Sequence, residues 1–156
     1  MIQFLINNGG YSISYDEMLS SLLFTSSSYG HLEIICFLVQ LGVDINTRDS
    51  NLNTPLHISA SNGFLNIVEY LVGSGACLNI GNDSDSTPLH VSVLKGHFPI
   101  VKFLVEHGAF QNILDKNSMT PLEIAIDQKF LDIIDILWIT GSRVEINEWK
   151  VDFYLI

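Results

Sequence analysis

The chain has 156 residues and a formal net charge of −10, with 17 acidic against 7 basic side chains. A surface this acidic repels phosphate backbones and anionic headgroups, which argues against nucleic acid and membrane surfaces as partners. Its apolar content of 47% is enough for a buried core and excludes general disorder, and no apolar run is long enough to cross a bilayer.

The N-terminus carries an apolar patch without a basic leader or a small-residue cleavage site, so we predict no signal peptide. The two cysteines, Cys36 and Cys77, occupy different places in the chain and indicate neither a disulfide framework nor a zinc cluster. We therefore expect reduced thiols in an intracellular compartment, with the cytoplasm as the expected location.

A repeat of 33 residues organises the whole sequence. Thr-Pro-Leu-His occupies positions 54–57 and 87–90, and Thr-Pro-Leu-Glu occupies 120–123. Glycines and asparagines recur at the same period, for example at Gly42 and Gly75 and at Asn46 and Asn79. A fixed period of this length is typical of stacked repeat arrays.

The repeat divides the chain into units, within a single domain expected to span 1–156. Residues 1–15 are predicted to be the second half of a preceding unit. The first full unit, 16–48, is degenerate because Ser-Leu-Leu-Phe stands in place of the tetrapeptide. Three regular units follow at 49–81, 82–114 and 115–147, and residues 148–156 are predicted to be a partial repeat or a tail.

Each regular unit predicts two short helices. In the second unit Thr54 is a suitable N-cap and Pro55 fits the first helical position. Gly63 ends this helix with a left-handed backbone. Apolar residues recur at helical spacing from Phe64 to Gly73 and predict the second helix. Neither helix is long enough to be stable alone, so neighbouring units must stabilise each other by stacking.

The unit resembles the ankyrin repeat. The resemblance is carried by Asp49, the tetrapeptide at 54–57, Gly63, Ile67-Val68, Leu71-Val72, Gly75-Ala76 and Asn79, and by their counterparts in the next unit. It implies an all-α repeat solenoid of ankyrin-type stacked helix-turn-helix units joined by β-hairpin or extended loops. It also implies that a partner protein is bound by the tips of the loops and by one face of the first helices.

Two further positions of the repeat depart from the family pattern. The glycine of the loop tip is replaced by Leu19, Leu52, Asp85 and Ser118 in successive units. Because leucine does not readily take a positive φ, we expect Asn51 to take the left-handed position in the second unit. Lys129 replaces a glycine between helices, at a cost of about 1 kcal/mol if that backbone is kept.

The residue types that carry chemistry favour structural roles. His57 and His90 lie on neighbouring units, roughly 10 Å apart by the spacing of packed helices, which is too far for one zinc ion. The resemblance implies that they take part in hydrogen bonds at the loop and helix start. Asp132 and Asp135 fit a solvated helix face. We therefore predict no catalytic site, no metal and no cofactor.

The remaining prediction is a non-catalytic protein–protein interaction module, a scaffold or adaptor whose concave face binds another protein with a basic or mixed surface. Tyr29, Leu94 and Met119 are the predicted exposed anchors, with charge selectivity from Lys95 and the loop at Asp83 and Asp85. The remaining predicted contact residues are polar or lie at loop tips: Met18, Ser50, Asn51, Asn53, Asn62, Ser86, Lys116, Asn117 and Gln128.

Two alternatives remain open. In one of them, the chain is a structural spacer within a longer array. In the other it is a substrate of asparaginyl hydroxylation, because the resemblance extends to loop asparagines with a leucine eight residues upstream. These asparagines are Asn46, Asn79 and Asn112.

The two ends of the chain fall inside repeats. In the tail, Trp149, Val151, Phe153 and Leu155 alternate at strand spacing. Because terminal repeats normally carry a polar outer face, we favour a fragment of a longer array over a tail that folds back as a cap.

Overall fold

The computed structural model describes residues 14–140. Of the partial repeat predicted at 1–15, residues 1–13 lie outside the described part, as does the tail predicted at 148–156. Within the described part each 33-residue unit contributes two consecutive helices. They are α1 (Tyr15–Tyr29), α2 (Leu32–Gln40), α3 (Pro55–Asn62), α4 (Leu65–Gly73), α5 (Pro88–Leu94), α6 (Phe98–Glu106), α7 (Pro121–Gln128) and α8 (Leu131–Ile139).

The helices stack in two layers. The first helices of the units, α1, α3, α5 and α7, contact one another in chain order, and the second helices, α2, α4, α6 and α8, do the same. The core lies between the layers and repeats with the sequence: Leu56 and Leu89 from the first layer and Leu71 and Leu104 from the second are fully buried. The predicted all-α repeat solenoid is thereby confirmed.

The first helix of each regular unit begins as the tetrapeptide predicts. The hydroxyl oxygens of Thr54, Thr87 and Thr120 accept from the backbone N–H three residues on, and the following proline occupies the first turn. The side chain at the fourth tetrapeptide position accepts in return from the threonine N–H. This reciprocal cap satisfies two amide groups that a helix start otherwise leaves unpaired.

The first unit has a longer first helix than predicted. Ser14 and Glu17 form a capping box, in which Ser14 N–H donates to Glu17 Oε2 at 2.9 Å and Glu17 N–H donates to Ser14 Oγ at 3.1 Å. The helix therefore starts at Tyr15, where the other units have a loop. Met18, predicted at a loop tip, lies half-buried inside α1, and Leu19 packs in the core. The tip assignment of Met18 is wrong.

The turn between the two helices of a unit requires a left-handed residue. Gly63 has a φ of +81°, and a Cβ on it would stand 2.8 Å from His97 Cε1 of the next unit. His97 Nε2 also lies 3.0 Å from the carbonyl oxygen of Ser61, so the ring is held over this turn. Lys129 keeps the same conformation with a φ of +61°, which meets the condition under which the cost of about 1 kcal/mol was expected.

Candidate functional site

The loop tips are built around one acidic or amide side chain per unit. Asp49 Oδ1 accepts from the N–H groups of Asn51 and Asn53 at 2.9 and 2.8 Å. In the next two units Asn82 Oδ1 and Asp115 Oδ1 each accept two backbone N–H bonds in the same way. These bonds determine the course of the tip whatever residue occupies its left-handed position.

Leu52, and not Asn51, takes that left-handed position, with a φ of +59°. The equivalent Asp85 and Ser118 have φ values of +55° and +59°. The prediction from intrinsic preference was therefore wrong, because the bonds to Asp49 outweigh a penalty of about 1 kcal/mol for leucine.

Neighbouring tips are joined through their backbones. Asp83 N–H donates to the carbonyl oxygen of Asn51 at 3.0 Å, and Lys116 N–H donates to that of Ser84 at 3.0 Å. The Lys116 ammonium also donates to the carbonyl oxygen of Asp83. Within residues 14–140 the tips are turns, and these single bonds form without any β-strand. The tips therefore form one continuous edge.

His57 connects two units from a buried position. Its Nδ1 accepts from Thr54 N–H at 3.1 Å, so the ring proton resides on Nε2, which donates to the carbonyl oxygen of Ser86 at 2.9 Å. Burial lowers the pKa of His57 to about 4. A second proton would place Nδ1–H against Thr54 N–H. The imidazole is therefore a neutral structural bridge at neutral pH.

His90 repeats this arrangement one unit later. Its Nε2 lies 3.1 Å from the carbonyl oxygen of Ile113 and 3.2 Å from that of Met119, and burial lowers its pKa. In the fourth unit Glu123 Oε2 accepts from Thr120 N–H at 2.8 Å. The expectation of hydrogen-bonding histidines at the loop and helix start is confirmed.

The loop asparagines connect units in a second way. Asn46 Oδ1 accepts from Cys77 N–H, and Asn79 Oδ1 accepts from Phe110 N–H, both at 2.8 Å. Each amide oxygen thus caps the loop of the following unit. Hydroxylation of these asparagines stays a prediction.

The first helices and the tips enclose two hollows along one face of the stack, which together we call the inner groove. The first hollow lies between α3 and α5 and has a volume of about 300 Å³. Ile58 and Val91 line its apolar side, and Asn53, Asn62 and Lys95 are among its polar residues.

The second hollow lies between α5 and α7 and has a volume of about 130 Å³. Val91, Met119 and Ile124 form much of its apolar surface, and Asp115 and Asp127 contribute carboxylates. Leu94 lines both hollows and is 49% exposed. It is therefore the ridge between them.

The inner groove brings together about half of the predicted contact residues. These residues are Asn53, Asn62, Ser86, Leu94, Lys95, Asn117, Met119 and Gln128. A second group lies at exposed tips outside the lining of both hollows. Its members are Ser50, Asn51, Asp83, Asp85 and Lys116.

The three predicted anchors differ in exposure. Leu94 is half-exposed, and Tyr29 is 72% exposed at the end of α1, where its ring stacks on His31 with 6.4 Å between ring centroids. Met119 is half-buried and packs against the core, so its prediction as an exposed anchor is wrong. Its N–H donates to Asp115 Oδ1 at 3.0 Å, and the residue lines the second hollow, between α5 and α7.

Sequence reasoning missed the apolar floor of the groove. Ile58, Val91 and Ile124 stand one repeat apart, each next to the histidine or glutamate of the tetrapeptide. Following the 33-residue register through these positions would have found them. Asp115 was also missed as a lining residue. It orders the loop tip through its hydrogen bonds and, in addition, lines the second hollow.

The described residues carry no group of three or more histidine, cysteine, aspartate or glutamate side chains placed to hold a metal ion. Between residues 14 and 140 none of the helices has the length and apolarity needed to cross a membrane.

Comparison with known families agrees with this architecture. A family model described as "Ankyrin repeats (many copies)" matches residues 23–72, and one described as "Ankyrin repeats (3 copies)" matches residues 78–148. The search of curated proteins finds no match. Ankyrin repeats are generally protein–protein interaction modules and are typically non-catalytic. Because the two matches together cover most of its length and its helices stack as such repeats do, the chain belongs to the ankyrin-repeat family.

Proposed function

We propose that this chain binds a partner protein along the inner groove and the adjoining loop tips, without catalysing a reaction. The observation that carries this proposal is the position of Leu94, a half-exposed leucine between two hollows on a face formed by consecutive units. Repeat stacks of this kind offer extended concave surfaces on which a partner contacts several units at once.

Rigid construction supports this role. The tips are held by paired hydrogen bonds to Asp49, Asn82 and Asp115, and His57 and His90 tie the tips at Asn82 and Asp115 to the preceding helix. A surface already ordered in the free protein loses little conformational entropy when a partner binds. Binding energy then comes from the side chains that do not repeat.

The distribution of side chains favours a few anchors. Leu94 and Tyr29 expose apolar surface at the ends of α5 and α1, and polar residues such as Asn53 and Asn62 surround the first hollow. An apolar centre with a polar rim is the usual anatomy of a protein interface. With a net charge of −10 on the chain, the partner is expected to present a basic or mixed surface.

Affinity capture from the native cell, followed by identification of the bound proteins, tests the proposal. Tyr29→Ala and Leu94→Ala should reduce capture of a specific partner by about tenfold, the effect of losing roughly 1.4 kcal/mol. Their thermal melts should stay within a few degrees of the wild type, because both side chains are exposed.

Phe37→Ala is the matched control. Phe37 is 59% exposed but lies on α2, in the second layer of helices. Equal loss of capture in the Phe37 and Leu94 variants would contradict a site on the inner groove. Capture that none of the variants changes would likewise contradict the inner groove as the site, and the absence of any specific capture would favour the alternative of a spacer.

A further inference from the structure

The inner groove is chemically different at its two ends. The inner face repeats one position in the order Ser28, Ser61, Leu94 and Asp127, each 33 residues after the last. Side chains at this position therefore change from small and polar to apolar and then to acidic along the stack. A partner that follows the groove meets these groups in a defined order.

The side chains that line the first hollow are cationic or uncharged. Lys95 lines it together with the amides of Asn53, Asn62 and Asn82, and no aspartate or glutamate is among its described lining residues. Asn62 donates to the carbonyl oxygen of Ser28 and Asn82 to Asn53 Oδ1, so both amides are held in place. Lys95 is exposed at the mouth.

The second hollow is negative. Asp115 and Asp127 line it, and among its described lining residues there is no lysine or arginine. Asp115 uses its carboxylate to order the tip through Asn117 and Met119. Asp127 is exposed and accepts from the neighbouring Gln128 amide at 3.1 Å. A carboxylate beside the apolar surface of Leu94, Val91 and Ile124 matches a side chain that is both apolar along its stem and cationic at its tip.

We infer that the groove binds an extended segment of another protein that places an apolar side chain against Leu94 and a basic side chain against Asp127. This inference rests on the proposed function and adds the chemistry of the bound segment. Lys95 and Asp127 determine on which side of Leu94 the basic residue lies, because Lys95 repels it and Asp127 attracts it.

Geometry limits the spacing of the two side chains. Leu94 and Asp127 occupy the same place in consecutive units, which stack about 10 Å apart. A chain in the extended polyproline II conformation advances about 3.1 Å per residue and presents every third side chain on the same face, so the apolar and basic residues should be separated by about three positions.

A selection from random twelve-residue peptides displayed on phage tests the inference. Peptides are selected on the wild-type chain after removal of those that bind Leu94→Glu, which leaves binders that depend on the groove. We expect an apolar and a basic residue about three positions apart to be enriched. The affinity of one selected synthetic peptide is then measured by isothermal titration.

Asp127→Lys should lower the affinity for this peptide by about tenfold, because the attraction to its basic residue becomes repulsion. A peptide with glutamate in place of the basic residue should recover affinity on that variant. Asp135→Lys makes the same change of net charge on the exposed side of α8 and should leave binding within about twofold.

The outcomes separate the two proposals. Groove-dependent peptides that respond equally to Asp127→Lys and Asp135→Lys would overturn the inferred polarity and leave groove binding standing. A selection without any groove-dependent peptide would overturn the inference, whereas the proposed function is overturned only if capture of a partner does not depend on Leu94. An exchange of peptide preference in Asp127→Lys alone would establish the inference.

Discussion

The Nε2 atom of His57 lies 2.9 Å from the carbonyl oxygen of Ser86, which belongs to the next unit. His57 is 1% exposed, and its Nδ1 accepts from Thr54 N–H in the same helix cap. One neutral ring thus joins the start of α3 to the tip of the following unit. The same ring makes the stability of the stack depend on pH.

We predict that His57 contributes stability that is lost in acid. Its pKa is about 4 in the folded chain and 6.5 in the unfolded chain, so the unfolded state takes up the proton first. The contribution is complete above pH 6.5 and falls as pH drops toward 4, by roughly 3 kcal/mol in total. Glutamine offers an acceptor and a donor without a charge. The free energy of unfolding of His57→Gln should therefore approach that of the wild type between pH 6.5 and 4 in denaturant titrations. A constant difference across this range would contradict the assignment.

Asn79→Ala should lower the free energy of unfolding by about 0.5–1.5 kcal/mol, because the exposed Phe110 N–H exchanges its protein acceptor for water. Chemical denaturation measures the change. Asn117→Ala is the control: Asn117 is exposed at a tip and donates only to Asp115 at 3.3 Å among the hydrogen bonds of its side chain. Equal effects of the two variants would show that the loop amide bond adds nothing.

Lys129→Gly should stabilise the chain by about 1 kcal/mol, since glycine takes the observed φ of +61° without steric strain. Lys95→Gly is the opposite control. Lys95 ends α5 with a φ of −92°, so glycine there only adds entropy to the unfolded chain and should destabilise by about 0.5–1 kcal/mol. Thermal melts measure both changes. Melting temperatures that shift in the same direction in the two variants would contradict the explanation from the backbone conformation.

Gly63→Ala should be more destabilising than Gly75→Ala. Both glycines have a positive φ, +81° and +95°, but only at Gly63 would a Cβ approach within 3 Å of another side chain, the ring of His97. We expect Gly75→Ala to lower the free energy of unfolding by about 1 kcal/mol, from backbone strain alone. Gly63→Ala should lower it by about 1–3 kcal/mol more, because the new methyl group displaces the ring of His97. Similar midpoints of denaturation would mean that His97 moves aside freely.

The repeat, the helix starts at Thr54, Thr87 and Thr120, and the all-α solenoid could all be predicted from the amino-acid sequence. These features follow from local chemistry: the cap, the first-turn proline and the helical spacing of apolar residues act within a few positions of one another. The structural role of His57 and His90 was predicted from the resemblance to ankyrin repeats. The same local motifs carry that resemblance.

The stacking of the units and the hydrogen bonds within each tip determine which residues face the groove and which backbone each tip adopts. Leu52 is left-handed because Asp49 accepts from the amides on both sides of it, and Met119 is half-buried where it lines the hollow between α5 and α7. The two hollows arise between helices from units 33 residues apart. Side-chain contacts over that separation depend on how the units stack, which local preferences do not specify.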